Sequence, residues 1–361
     1  MASIAEIRAE AARLCARFEA AGAVPVDCPV LQPAETLLDL YGEDIRARAY
    51  VTRDPSQGEM MLRPDFTVPV VERHMAEGAE PARYTYAGEV FRRQEDHPDR
   101  ASEYMQVGFE VFDRANPAAA DAEVFALISD VVSPLRLRAV TGDIGLLIAM
   151  VSGLRVSEDR RTALLRHIWR PSRFTALIKR YAGMTPVPPS RTALLSAADP
   201  FARAGAQIGL RSEAEIATRI DALRKEAAEP PMSGEEVALI TAVLGVAETC
   251  PNALEHLRDI AVDMPSITHA LDRFEARCTA LAARGVDVGA LAFEASFGRT
   301  SMEYYDGFVF GFYADPAADL PPVATGGRYD ALTLRLGNGR TIPAVGGVIR
   351  PDLVLTLGGA T

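Results

Sequence analysis

Asp65, Thr67, Arg92, Gln106, Glu110, Glu303, Tyr304, Tyr305 and Arg328 are the polar residues whose types and spacing can do chemistry. Arginine on a strand presents a fork of donors that clamps a phosphate or a carboxylate. Gln106 and Glu110 stand four apart, so on a period-two strand both face the same side. Such a pair can bind an amide or an ammonium group. The same spacing equally describes a solvated sheet face with ordinary salt bridges. The histidines His74, His97, His167, His256 and His269 form no HExxH or other tight metal array. Neither GxGxxG after a first strand nor GxxxxGKS/T occurs, so the phosphate loops of the common nucleotide folds are missing. GxSxG is missing too, and Gly326-Gly327-Arg328 is explained as well by a turn as by a site.

These residues need elements to carry them. A helix is predicted from Ser3. Glu6 completes a capping box, Ile4, Ile7, Ala11, Leu14 and Phe18 recur at helical spacing, and Gly22 stops the run. Val26 to Val30 reads as short and extended. Asp54 to Gly58 is a turn, and a helix capped by Asp65 follows near Thr67, with Pro69 in its first turn. Residues 83–93 and 103–112 read as a hairpin around a polar loop at 94–100. Asn116-Pro117 opens a helix with Phe125, Ile128 and Val132 on one face. From about residue 143 to 285 the chain is rich in Ala, Leu, Arg and Glu, with breakers at 171–172, 186–190 and 230–234, the pattern of successive helices. Tyr304 to Tyr313 reads as a strand, Gly326 to Asp330 as a loop opening a helix, Gly337 to Arg340 as a turn, and Ala344 to Leu357 as an apolar end. Strands at both ends of a helical middle predict an α+β fold with a discontinuous body, residues 1–160 and 286–361, around a mainly helical insertion at 161–285.

At 361 residues the chain can bury a sizeable core. Apolar residues are 48% and charged residues 24%, which argues against wholesale disorder. The 38 Lys+Arg against 49 Asp+Glu give a formal charge of −11, the wrong sign for coating nucleic acid or an anionic membrane. Residues 81–114 hold five arginines and seven acids, which is no basic track for RNA. Cys15, Cys28, Cys250 and Cys278 form no CxxC pair and read as buried thiols in a reducing compartment. Glu6, Arg8 and Glu10 interrupt any signal-peptide core, and no run is long and apolar enough to span a membrane, so a cytoplasmic location is expected.

The same residues carry a resemblance. Met61 to Thr67, Phe91-Arg92 and Tyr104 to Glu110 resemble the motif 2 region of histidyl-tRNA synthetase. Glu303 to Phe310 resembles its histidine-specific tyrosine motif, and Gly326 to Asp330 with Ile342 to Gly346 the approach to its motif 3. The resemblance runs through nearly the whole chain, in order. It implies a class II synthetase-like mixed, mainly antiparallel sheet flanked by helices, and a homodimer formed through the motif 1 region, here the first helix and Pro29. It further implies that Asp65, Thr67, Gln106, Glu110, Tyr304 and Tyr305 surround a bound histidine, and that Arg92 holds the carboxylate and α-phosphate during adenylation.

The departures from the synthetase pattern are specific. An arginine is expected four residues before the first tyrosine, where this chain has Thr300 with Arg299 one place off. Arg-x-Glu in motif 2 is replaced by Arg92-Arg93-Gln94. The late motif 3 arginine is replaced by Gly347-Val348-Ile349-Arg350-Pro351, in which Arg350 comes early and precedes a proline. Losing one such cation costs about 3–4 kcal/mol of transition-state binding. No anticodon-binding domain is expected before the end at Thr361. A synthetase-like body with these changes resembles the family of ATP phosphoribosyltransferase regulatory subunits. That resemblance implies a non-catalytic subunit without metal or cofactor. It would partner the catalytic short-form ATP phosphoribosyltransferase in a hetero-octamer, at the first step of histidine biosynthesis, with histidine as effector. The alternatives are an amino-acid-activating synthetase-like enzyme that charges no tRNA and, more remotely, an RNA-binding module.

Overall fold

The computed structural model describes residues 2–34, 48–94, 100–202, 204–205, 208–300, 303–315 and 319–358. Most of the polar loop expected at 94–100 lies outside them. The chain forms two compact units, Met1–Gly153 with Thr241–Thr361, and Leu154–Ile240. Residues 241–285, expected with the insertion, belong to the first unit.

The first unit opens with helix α1 (Ile4–Ala20), whose Ser3–Glu6 capping box satisfies the free amides of its first turn. Ala11, Leu14 and Phe18 are buried, while Ile4 at the first position of the helix is 70% exposed. The short strands β1 (Val24–Pro25) and β2 (Leu31–Pro33) bracket the stretch expected to be extended. The turn at Asp54 joins β3 (Val51–Asp54) to β4 (Gly58–Leu62), and the Asp54 carboxylate accepts from the amides of Ser56 and Gln57. Helix α2 (Thr67–Glu77) follows; Asp65 accepts from the Thr67 amide at 3.1 Å. Strands β5 (Ala82–Phe91) and β6 (Glu103–Phe112) pair along their full length, and Asn116 caps α3 (Pro117–Val132).

Strand β7 (Arg138–Asp143) leads into α4 (Ile144–Ser152). In the smaller unit, α5 (Glu158–Arg166), α6 (Pro171–Tyr181), α7 (Pro189–Ser196), α8 (Glu213–Ala228) and the start of α9 (Gly234–Gly245) follow one another. Leu164, Ile168, Phe174, Ile178 and Ile220 are buried there, the helical core that the Ala- and Leu-rich sequence calls for.

The chain returns to the first unit with β8 (Ala247–Thr249), α10 (Cys250–Asp263), α11 (Thr268–Ala283) and β9 (Ala292–Glu294). It closes with β10 (Phe308–Tyr313), β11 (Ala324–Arg328), α12 (Asp330–Leu336), β12 (Ala344–Ile349) and α13 (Pro351–Gly358). One nine-stranded sheet results, ordered β1-β5-β6-β12-β11-β10-β7-β9-β8. Only β1–β5 and β7–β9 are parallel. Strands β2, β4 and β3 form a small antiparallel sheet.

Two expectations change. The strand expected from Tyr304 begins only at Phe308, and both tyrosines lie in the turn before it. The Gly307 carbonyl accepts from the Ile144 amide, which carries the register of β10 against β7 one residue past the strand's start. Gly326, Gly327 and Arg328 belong to β11 rather than to a loop. The glycine is needed for close packing: a Cβ on Gly327 would stand 2.7 Å from the Tyr305 ring.

Candidate functional site

A cleft of about 630 Å³ lies over the adjacent strands β6, β12 and β11 of the first unit, and it gathers most of the residues singled out from sequence, though not Glu303 or Arg328. Asp65, Thr67, Arg92, Gln106, Glu110, Thr300, Tyr304, Tyr305 and Arg350 all line it. Arg299 does not. Its side chain is buried, and burial works against its charge.

The cleft has a deep, acidic end. Strand alternation puts Gln106 and Glu110 on one face of β6, 3% and 1% exposed. Glu110 accepts from the hydroxyls of Tyr329 at 2.6 Å, Tyr86 at 2.8 Å and Thr67 at 3.2 Å. Burial still pushes this carboxyl up to about 7, with the three hydroxyls pulling the other way and Asp65 adding to the rise. Glu110 pairs across the sheet with Gly346, and a Cβ there would stand 1.4 Å from its Oε2. The glycine of β12 is what lets the carboxylate lie flat on the sheet. Asp65 accepts from the Tyr304 hydroxyl at 3.2 Å. Gln106 Oε1 is buried without a hydrogen-bond partner among the described residues. A buried carbonyl left in that state is costly unless something fills it.

The cleft lining also carries cations. Arg48, Arg92, Arg100 and Arg350 are half-buried and Arg93 is exposed. Arg92 Nε donates to the Pro64 carbonyl at 2.7 Å. Arg350, which its sequence context makes a poor motif 3 arginine, sits at the junction of β12 and α13. Its guanidinium lies 4.1 Å from the ring centroid of Tyr104 and 3.0 Å from Asp352. The strand-to-helix corner made by Pro351 turns it into the cleft.

Arg328 serves the frame. It donates to Asp121 of α3 at 2.7 Å and to Asp330 at 3.0 Å. Burial opposes its charge, but the two carboxylates hold its pKa well above the ordinary value. Arg277 of α11 joins the same network through Asp121 at 3.6 Å and also pairs with Asp143 at 2.9 Å. Among the described residues no group of three or more His, Cys, Asp or Glu is placed to hold a metal ion. No helix among them is long and apolar enough to cross a membrane.

The histidyl-tRNA synthetase family profile matches residues 2–354. An ATP phosphoribosyltransferase regulatory subunit of Brucella anthropi is 32% identical over 349 residues, covering 89% of this chain and 89% of the relative. The regulatory subunit of Brucella canis is 31% identical over 354 residues, covering 92% and 93%. The chain belongs to the family of ATP phosphoribosyltransferase regulatory subunits, histidyl-tRNA synthetase-like proteins. The same fold occurs in a Bacillus halodurans structure described as an ATP phosphoribosyltransferase regulatory subunit/histidyl-tRNA synthetase. That match has a TM-score of 0.70 at 19% identity and covers 98% of this chain and 78% of that one. A histidine–tRNA ligase subunit of Alicyclobacillus acidocaldarius matches with a TM-score of 0.60 at 22% identity, covering 98% and 93%.

For this regulatory-subunit family member, sequence reading missed Tyr86, Tyr329 and the arginines Arg48, Arg93 and Arg100 as parts of the site. The signal for Tyr86 was there. It pairs with Gly108, the open position between Gln106 and Glu110 on the same strand face. Tyr329 reaches Glu110 across 219 residues of chain, which no local pattern reports.

Proposed function

We propose that this chain acts as the non-catalytic regulatory subunit of a short-form ATP phosphoribosyltransferase, and that its cleft binds L-histidine as the feedback effector of that complex. The orphaned Gln106 carbonyl, in the same cleft lining as the Asp65 carboxylate, is the observation that carries this reading. A buried acceptor and a carboxylate lining one cleft suit a ligand ammonium, which can donate to both. Glu110 has most of its acceptor capacity occupied by three hydroxyls, so it suits a single ring N–H better than the ammonium assigned to it from spacing. Tyr304 and Tyr305 supply ring faces, and Arg92 the fork for a carboxylate.

In this reading the chain forms a homodimer within a hetero-octamer with the catalytic subunit, and contributes a sensor rather than chemistry. Calorimetry of L-histidine into the chain tests the pocket. Phosphoribosyl transfer by the reconstituted complex, with and without histidine, tests the regulation. Saturable 1:1 binding that Gln106→Leu weakens supports the reading; inhibition that survives Gln106→Leu unchanged sinks the pocket as the effector site.

A second reading, amino-acid activation, draws on Arg92 and Arg350 both lining the cleft. Histidine-dependent exchange of pyrophosphate into ATP by the chain alone, abolished by Arg92→Ala, would replace the first reading with this one.

A further inference from the structure

Tyr304 and Tyr305 contribute two rings to the cleft, yet they lie in a turn with no ladder of its own. Something must hold them still. The residue that follows, Asp306, is absent from the cleft lining. Its carboxylate accepts from the backbone amides of Asp330 at 3.0 Å and Ala331 at 2.5 Å, the first two residues of α12. Its own amide donates to the Arg328 carbonyl at 3.0 Å. The turn is thereby fastened at three points to the β11–α12 junction.

That junction carries the third ring. Tyr329 lies between Arg328 and Asp330, and its hydroxyl donates to Glu110. The Tyr304 and Tyr329 rings stand 6.1 Å apart at 85°, and those of Tyr304 and Tyr305 5.0 Å apart at 67°. The Tyr304 hydroxyl meets Asp65. Asp330 in turn accepts from the Ala344 amide at 2.8 Å, which fastens the same junction to the start of β12.

We propose that Asp306 is the positioning residue of the cleft, a clamp whose carboxylate sets the spacing of the Tyr304–Tyr305 pair against Tyr329 and so controls ligand affinity without touching the ligand. This rests on the reading that the cleft binds histidine. The clamp is also placed to respond to pH. Asp330 and Arg328 face the carboxylate from α12 and β11. Asp121 of α3 holds Arg328, and Asp143 and Arg273 stand near the Asp306 backbone around Gly145. Burial and then Asp330 raise the Asp306 carboxyl to about 7, with the two amides and Arg328 opposing. Protonation leaves one good acceptor where two amides need one each, so the clamp loosens as pH falls through that value.

The test uses the full chain and four variants, Asp306→Ala, Asp306→Asn, Tyr304→Phe and Asp306→Ala in a Tyr304→Phe background, titrated with L-histidine. Asp306→Ala is expected to weaken binding by about tenfold. Asp306→Asn, which keeps one acceptor, falls between. Measured against Tyr304→Phe itself, the same alanine change should cost less than about threefold, because the Tyr304–Asp65 bond through which the clamp fixes the first ring is already missing in that background. Full additivity, or unchanged affinity in Asp306→Ala, overturns the proposal. Amide hydrogen exchange at Tyr305, Asp330 and Ala331 is measured in parallel on wild type and Asp306→Asn. If wild type binds no histidine, the histidine reading fails. The clamp is then judged on exchange alone: faster exchange at all three amides upholds it, and unchanged exchange rejects it.

Discussion

Replacing Glu110 by glutamine tests the electrostatics of the deep end of the cleft. Burial holds this carboxyl at about 7 against an ordinary 4.5, even with three hydroxyls donating to it. Between those two values the folded protein keeps a proton that the unfolded chain has released. The stability from this group is therefore fully present below 4.5 and is lost as pH rises through about 7. The separation corresponds to about 3 kcal/mol. Glutamine has the same shape and does not titrate. Asp306 is also raised to about 7, but it is present in both proteins and cancels in the difference. Urea unfolding of wild type and Glu110→Gln from about pH 4.5 to about pH 8 provides the assay. The stability of wild type relative to the variant should fall by about 3 kcal/mol across that range, most steeply near neutrality. A difference that stays flat within about 1 kcal/mol, or that rises, would refute the claim that a desolvated carboxylate occupies this position.

Gln106→Leu removes a carbonyl that has no partner among the described residues, so it should leave thermal stability unchanged or slightly raised while weakening L-histidine binding by about 1–3 kcal/mol, read by calorimetry. Asp121→Ala leaves Arg328 and Arg277 short of their shared buried carboxylate and should destabilise the chain by about 3–5 kcal/mol in a urea melt. Gly346→Ala places a Cβ against Glu110 Oε2 and should cost about 1–3 kcal/mol of stability together with histidine affinity, measured by thermal melting and calorimetry on the same sample.

Much of this architecture is local enough to be legible in the residues. The Ser3–Glu6 capping box, the turn at Asp54, the long hairpin and the Asn116 cap depend on partners within a few positions or on plain strand alternation. The two glycine-rich strands were harder. Gly326-Gly327 carries the composition of a turn, and only the tertiary packing of the Tyr305 ring and of β12 on these glycines makes it a strand. Arg350 looked displaced because a following proline signals a helix start, but not which way the preceding side chain faces.

The sequence alone determined which side chains are available, that Gln106 and Glu110 share a face, and, through motifs spread along nearly the whole chain, the family. Periodicity and spacing are properties of a single strand or helix, so they survive without knowledge of neighbours. What Glu110 does was decided only by the fold. Thr67, Tyr86 and Tyr329 come from three separate elements to donate to it, and Gly346 from a fourth makes room. The protonation of a buried carboxyl depends on desolvation and on every donor around it, and those exist only once the sheet has brought residues hundreds of positions apart into contact.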